Sequence, residues 1–269
     1  MNTGTKFCSV CHKEKEQFYN QYVKKSFYIE CECEKALREK REQADREYAI
    51  KAAYDLRTKS SHIPPICLKA DFDTMTVDKH NERAVKACKY VLRSLLADKC
   101  DVNKMSLVLQ GNRGSGKTYI ATALINGYNK ALPLAEQRIK DLIKERNFGN
   151  RAGETVIIKS GCKFITEGDL FALYYENFNY CKTEGPLDEF KRAPKLLVID
   201  DVGTCSGDAQ RVQSLYNNII DYRYSHLLPT IITTNLPRID LGRYIGDRAF
   251  DRLQSEGYFV DLTSPSSRR

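Results

Sequence analysis

The chain has 269 residues, 43 Lys and Arg against 35 Asp and Glu, a formal net charge of +8, 42% hydrophobic residues and ten cysteines. That apolar share supports a sizeable core and excludes global disorder. No run approaches the ~18 apolar residues of a membrane span, and the stretch from Met1 to Lys6 leads into no apolar signal-peptide core. The modest positive charge permits nucleic-acid binding without requiring it.

Cys8, Cys11, Cys31 and Cys33 cluster near the start, whereas Cys67, Cys88, Cys100, Cys162, Cys181 and Cys205 stand singly. A secreted disulfide scaffold would be shorter and more regular, so the pattern points to a reducing cytoplasm, one metal cluster and six ordinary thiols. Residues 34–60 lack Pro and Gly, and opposite charges recur at Glu34/Arg38, Arg38/Glu42, Glu42/Arg46 and Glu47/Lys51. This predicts an exposed helix, either a solvated spacer or a partner-binding element. Pro64-Pro65 closes it and opens a linker. The helical spacing of Val85, Cys88, Leu92 and Leu95 predicts a helix over about 81–97.

From Ser106 onward strands and helices alternate. Strands are expected at 106–110, 154–159, 195–200, 230–234 and 258–262, and helices at 117–130, 134–147, after Thr166, at 208–227 and at 244–254. Thr166 and Asp169 form a capping box for the helix that carries Leu170, Leu173, Tyr174 and Phe178. Strands separated by helices predict an α/β fold, a parallel sheet covered on both faces. The expected division is a 1–60 zinc-binding module with its charged helix, a 61–80 linker and an 81–269 ATPase domain. The stretch 131–153 reads as an insertion without an assigned role.

Gly111-Asn112-Arg113-Gly114-Ser115-Gly116-Lys117-Thr118 matches G-x-x-x-x-G-K-[ST], after a predicted strand and before a predicted helix. Its glycines let backbone N–H groups cradle phosphates, Lys117 is placed to reach the β- and γ-phosphates of ATP, and Thr118 to coordinate Mg²⁺. Leu196-Leu197-Val198-Ile199-Asp200-Asp201 is a buried strand ending in two acids. Asp200 is assigned to the Mg²⁺ shell and Asp201 to the attacking water. Asn235, after Thr233-Thr234, is a neutral polar candidate for the γ-phosphate or that water, and Asn-Leu-Pro is also an ordinary turn. Cys8-x-x-Cys11 and Cys31-x-Cys33 supply four thiolates for a tetrahedral Zn²⁺ site; His12 is an awkward substitute ligand beside Cys11.

Together these pieces resemble the AAA+ ATPases, of the P-loop NTPase (ASCE) class. More narrowly they resemble bacterial and phage replicative-helicase loaders of the DnaC/DnaI type. The likeness runs from the cysteine pairs through Pro64-Pro65 to Phe72, Gly111 to Thr118, Phe164 to Leu170, Leu196 to Gly203 and Thr233 to Asn235, and ends at Gly246 to Leu253. It implies that Asn235 is a sensor-1 residue. It implies that Arg252 is an arginine finger completing a neighbouring copy's ATP site, with Arg248 a second basic residue there. On residues alone, both arginines equally read as solvated charges or local partners of Asp247 and Asp251. The resemblance further implies single-stranded DNA contact by the helix after Thr166, and a grip of the N-terminal module on a hexameric replicative helicase. Tyr174, Tyr175, Phe178 and Tyr180 read either as core or as base-stacking groups, and Lys159 and Lys163 as phosphate contacts or solvated lysines.

The pattern departs from the family in its Asp-Asp pair, in the 131–153 stretch and in lacking a lid domain after Leu262, where Arg268 is a weak sensing candidate. The implied activity is slow ATP hydrolysis in helicase loading in a bacterial, or phage-infected, cytoplasm, without a membrane partner. The alternatives are an IstB-type transposition helper ATPase and an ATP-binding DNA switch with little hydrolysis.

Overall fold

The computed structural model describes residues 6–97, 106–148, 158–180 and 185–262. The chain forms two compact units: residues 1–53 with 134–156, and residues 54–133 with 157–269. The segment 134–156 thus groups with the N-terminal residues, and 54–80 groups with the sheet-bearing unit, a different partition from the linear one drawn on the sequence.

In the first unit, strands β1 (Gln17–Asn20) and β2 (Lys25–Tyr28) form an antiparallel hairpin. Asn20 Oδ1 accepts the N–H groups of Tyr22 (3.0 Å) and Val23 (3.2 Å) and closes its turn. Phe18 faces Phe27 across the ladder, with ring centroids 5.7 Å apart. Helix α1 (Glu32–Ser60) begins here. Its expected pair Arg38–Glu42 forms at 3.0 Å, and Arg38 also reaches Glu30 at 3.1 Å. Arg46 instead meets Glu136, and Asp45 meets Arg146, both on the helix over 136–148 within this unit. Such exposed pairs contribute only ~0.2–1 kcal/mol each, so they orient rather than hold these helices.

The second unit has α2 (Glu82–Ala97), β3 (Ser106–Gly111) and α3 (Lys117–Ala131). With α4 (Glu136–Phe148) assigned to the first unit, it continues with β4 (Cys162–Thr166), α5 (Glu167–Tyr180), α6 (Pro186–Lys191) and β5 (Leu196–Val202). The described residues end with α7 (Ala209–Ser225), β6 (Thr230–Thr234), α8 (Arg238–Ile245), α9 (Asp247–Glu256) and β7 (Gly257–Leu262). The five strands are all parallel, in the order β4-β5-β6-β3-β7. Alternate residues feed two cores. Leu107, Leu109, Leu196 and Val198 pack with α2 and α3, whereas Val108, Leu197, Ile199 and Ile232 pack with α5 to α9. This two-faced burial explains why these strands read as unbroken apolar runs.

Three expectations change. Of the strand expected at 154–159, residues 154–157 lie outside the described residues, and 158–159 are irregular. The edge strand is β4 instead, which has a lysine at its centre. The helix expected at 244–254 is two helices, broken at Gly246, whose φ of +90° no helix accommodates. The expected linker is packed: Ile63, Cys67, Ala70 and Phe72 belong to the first core. Asn126 Nδ2 donates to the carbonyls of Cys67 (3.1 Å) and Ala70 (2.9 Å). Among the described residues, no helix is long and apolar enough to cross a membrane.

Candidate functional site

The sheet order reverses beside β3, so the carboxyl ends of β3, β5 and β6 open onto a switch-point crevice. At Gly111, a Cβ would lie 2.1 Å from the Leu262 carbonyl oxygen, so only glycine admits β7 this close. Gly116, with φ +87°, turns the loop into the N-terminus of α3, where the helix dipole favours an anion. Lys117 is 5% exposed. Its ammonium donates to Gly111 O (2.8 Å), Asn112 O (2.9 Å) and Asn235 Oδ1 (2.9 Å). The loop segment Arg113, Gly114 and Ser115 bridges these anchors, and Asn235, just beyond β6, meets Lys117 across the crevice.

Asp200 is buried at the end of β5. Thr118 Oγ1 lies 2.9 and 3.0 Å from its two carboxylate oxygens, so the structure brings these two residues together. Thr233, without an assigned role on the sequence, donates its hydroxyl to Asp200 Oδ1 at 2.5 Å and accepts the Asp201 N–H at 2.9 Å. Burial pushes the Asp200 carboxyl above its ordinary range, and nearby Asp201 adds to this; the Thr233 and Thr118 hydroxyls pull the other way. Between Ile199 and Val202 the β5–β6 register slips by one residue. In this bulge Asp201 is exposed and takes a left-handed φ of +57°.

Glu167 is the largest omission of the sequence reading. It is fully buried at the first position of α5, and its carboxylate accepts the N–H groups of Gly203, Thr204 and Cys205 and the Tyr216 hydroxyl. A glutamate in a first helical turn ordinarily signals only a favourable dipole contact, so nothing local marks this burial.

Arg248 and Arg252 converge on Asp221 of α7, at 2.6 and 3.6 Å, rather than on Asp247 or Asp251. Arg252 also lies over the Tyr224 ring at 4.3 Å. It lines a crevice with Ser106 and Thr230, the first residues of β3 and β6. The phosphate loop leaves β3 at its other end, about 17 Å away at ~3.3 Å per residue. The structure therefore does not bring Arg252 to the Lys117 cluster of its own chain.

On α5, Leu170 and Phe171 are buried, and Tyr174 and Tyr175 are half-buried against the second core; the side chains of Phe178 and Tyr180 lie outside the described part. Lys163 is neither a solvated lysine nor placed for phosphate. It is 4% exposed and bonds the Ser60 carbonyl and Glu189. Lys159 is exposed. Arg268, Cys100 and Cys181 lie outside the described residues. Of the single thiols, Cys67, Cys88 and Cys162 are buried and Cys205 is half-buried.

Within the first unit, the Sγ atoms of Cys8, Cys11, Cys31 and Cys33 all lie within 4.8 Å of one another. Cys31 lies 2.9 Å from Cys33, 3.0 Å from Cys8 and 3.9 Å from Cys11, and Cys8 lies 3.4 Å from Cys33. A tetrahedron with ~2.3 Å Zn–S bonds has edges of about 3.8 Å, so the sulfurs fit such an ion with small adjustments. Burial raises the Cys8 thiol, but the N–H groups of Cys11 and Val10 and neighbouring thiols outweigh it and bring it down to about 6. Glu34 clamps the knuckle to α1, accepting from the Ser9 N–H and hydroxyl (both 3.2 Å) and pairing with Lys15 at 2.6 Å.

No protein-family model matches the chain. It is 25% identical over 198 residues to the replicative helicase loader DnaC of Escherichia coli strain K12, covering 72% of this chain and 66% of that protein. The chain thus spans just under two thirds of the length of the curated relatives it matches. The crystal structure of the DnaC helicase loader superposes with a TM-score of 0.53 at 21% identity, over 74% of this chain and 100% of that one. Domain III of the Thermotoga maritima replication initiation protein DnaA gives 0.51 at 18% identity, over 76% and 69%. The parallel sheet with its flanking helices is a P-loop AAA+ fold, shared with the DnaC structure, and the sequence is similar to that of the helicase loader DnaC.

Proposed function

We propose that this chain is an ATP-dependent loader of a hexameric replicative DNA helicase, acting in DNA replication in the bacterial cytoplasm. The observation that carries the reading is the convergence of Lys117, Thr118, Asp200 and Asn235 at one sheet edge in a chain similar to helicase loaders. In this reading Lys117 holds the β- and γ-phosphates of ATP, and the N–H groups from Gly111 to Thr118 surround them. Thr118 and Asp200 hold Mg²⁺, which neutralises charge on the phosphates when bound. Asp201 orients the attacking water and accepts its proton, and Asn235 fixes the water or the γ-phosphate.

Arg252, with Arg248 beside it, serves the ATP site of a second copy. Its place at the amino ends of the strands supports action in trans, where a guanidinium offsets developing charge on the γ-phosphate. To act there, each arginine must exchange Asp221 for the phosphate, which makes turnover slow outside an assembly. Helix α5 contacts single-stranded DNA. The four cysteines hold one Zn²⁺, which ties the hairpin to α1 in the module that grips the helicase.

The test combines purified full-length chain with the replicative hexameric helicase of its host and single-stranded DNA. Expected are co-elution with the helicase and DNA-stimulated ATP hydrolysis that the Lys117→Ala variant lacks. Failure to associate with the helicase, together with stable association with a transposase, would replace the loader reading by the transposition one.

A further inference from the structure

We infer that Glu167 is a positioning residue for the hydrolytic step, acting on Asp201 through the loop that follows β5. The inference rests on the reading of Asp201 as the residue that orients the attacking water.

A carboxylate with no exposed surface is costly unless its lone pairs are filled. Among the described residues no lysine or arginine pairs with Glu167. Four donors fill it instead. Oε2 accepts from the backbone N–H of Gly203 (3.0 Å), Thr204 (2.8 Å) and Cys205 (2.8 Å), and the Thr204 hydroxyl lies 3.4 Å away. Oε1 accepts from Tyr216 Oη at 2.6 Å, and Tyr216 is itself fully buried. Three successive N–H groups aimed at one carboxylate fix the path of residues 203–205 as firmly as a bound anion would.

That path determines the conformation of Asp201. A non-glycine residue at φ +57° persists only where its surroundings over-determine it. Both peptide groups of Asp201 are held. Its N–H goes to Thr233 Oγ1 at 2.9 Å, and its carbonyl accepts the Thr204 hydroxyl at 2.9 Å. Thr233 is anchored by β6 and by Asp200, whereas Thr204 is anchored by Glu167. The chain of contacts is therefore Glu167 to the 203–205 N–H groups, Thr204 to the Asp201 carbonyl, and so to the Asp201 side chain. Lys117, Thr118 and Asn235 have no hydrogen bond to this loop among the described residues, so nucleotide binding is set by other contacts. The loop governs the water-orienting group separately from the phosphate-binding groups.

The test is a double-mutant cycle in the full chain, with Glu167→Ala, Thr204→Val, Asp201→Ala and the two doubles with Asp201→Ala. It reads the dissociation constant of Mg²⁺ with a fluorescent ATP analogue and the single-turnover hydrolysis rate, at a temperature below the melting point of every variant. Displacing a reacting group by about an ångström costs on the order of tenfold to a hundredfold in rate. Glu167→Ala and Thr204→Val should each slow hydrolysis by that order with nucleotide affinity unchanged within about twofold. Neither should slow it further in the Asp201→Ala background. Should Glu167→Ala fail to fold, Thr204→Val carries the same test, because it removes the hydroxyl bond to the Asp201 carbonyl and leaves the three backbone N–H bonds to Glu167 in place. Additive losses, or a parallel loss of nucleotide affinity, would overturn the inference and leave Glu167 a structural residue. Full activity of Asp201→Ala alone would instead remove the assigned role of Asp201, and this inference with it.

Discussion

Replacing Thr233 by Val tests whether Asp200 is held ionised by the geometry of its site. The side chain has no exposed surface, so its two hydrogen bonds are not replaced by water. The hydroxyl donated to Asp200 Oδ1 at 2.5 Å is charge-assisted and contributes ~1.5–3 kcal/mol; the bond accepted from the Asp201 N–H adds ~0.5–1.5 kcal/mol. A buried methyl in place of the hydroxyl returns about 0.8 kcal/mol. The net loss is about 2 kcal/mol, which for a domain of this size lowers the melting temperature by ~4–8 °C. The loss depends on pH. Burial holds the Asp200 carboxyl above its ordinary value, so the folded protein binds this proton more tightly than the unfolded chain does. The associated stability is fully present below the ordinary aspartate range and is lost as pH rises through the raised value. Removing the Thr233 donor raises that value further. The variant and the parent should therefore differ least near pH 4 and most at pH 7–8, the ordinary aspartate pKa being about 3.9. Urea unfolding of both proteins across that range, without nucleotide or metal, measures the difference. A destabilisation independent of pH would refute the claim that Thr233 acts on the ionised carboxylate.

Lys117→Ala deletes a charge-assisted phosphate contact of ~1.5–3 kcal/mol, so a fluorescent ATP analogue should bind at least about tenfold more weakly; equal affinity would remove Lys117 from the site. Metal analysis should find about one zinc ion per chain. After chelation, the thiols of Cys8, Cys11, Cys31 and Cys33 should become reactive toward a thiol reagent, and unchanged reactivity would argue against ligation. Lys117→Ala and Arg252→Ala should each abolish most turnover, yet an equal mixture should recover about one quarter of it, because in a head-to-tail assembly one neighbour pair in four joins an intact loop to an intact arginine. A mixture as inactive as its components would exclude trans action by Arg252.

The central strands were legible because strands buried on both faces leave nothing polar to interrupt the run. Leu107-Val108-Leu109 and Leu196 to Ile199 are of this kind. β4 was misplaced for the converse reason. Lys163 interrupts its run, and only the fold supplies the Ser60 carbonyl and Glu189 that make a buried lysine tolerable there. The break at Gly246 was hidden because the amphipathic spacing continues on both sides of it. The β1–β2 hairpin is largely exposed, so it lacks the buried alternation that marks a strand, and its turn rests on the side chain of Asn20.

The site divides along the same line. Gly111 to Thr118, and the acids near the end of β5, stand out in the sequence because they form a pattern of particular residue types at short spacing, and the fold brings Thr118 and Asp200 together. The parts that make those groups act together are long-range and use ordinary residues. Thr233 touches both Asp200 and Asp201, Glu167 reaches across 36 residues to Gly203, and Asp221 gathers Arg248 and Arg252. A threonine in a strand, a glutamate opening a helix and an aspartate late in a helix each have a commonplace local explanation, and only their burial and partners distinguish them. The pairing on Asp221 also has a mechanistic consequence. An arginine held by a carboxylate at one end of the sheet contributes nothing to a phosphate at the other, so among the described residues Lys117 stands at the loop without Arg248 or Arg252 beside it. Under the proposed trans role of Arg252, a second copy's phosphate has to outcompete Asp221, which would be a direct physical route from assembly to turnover.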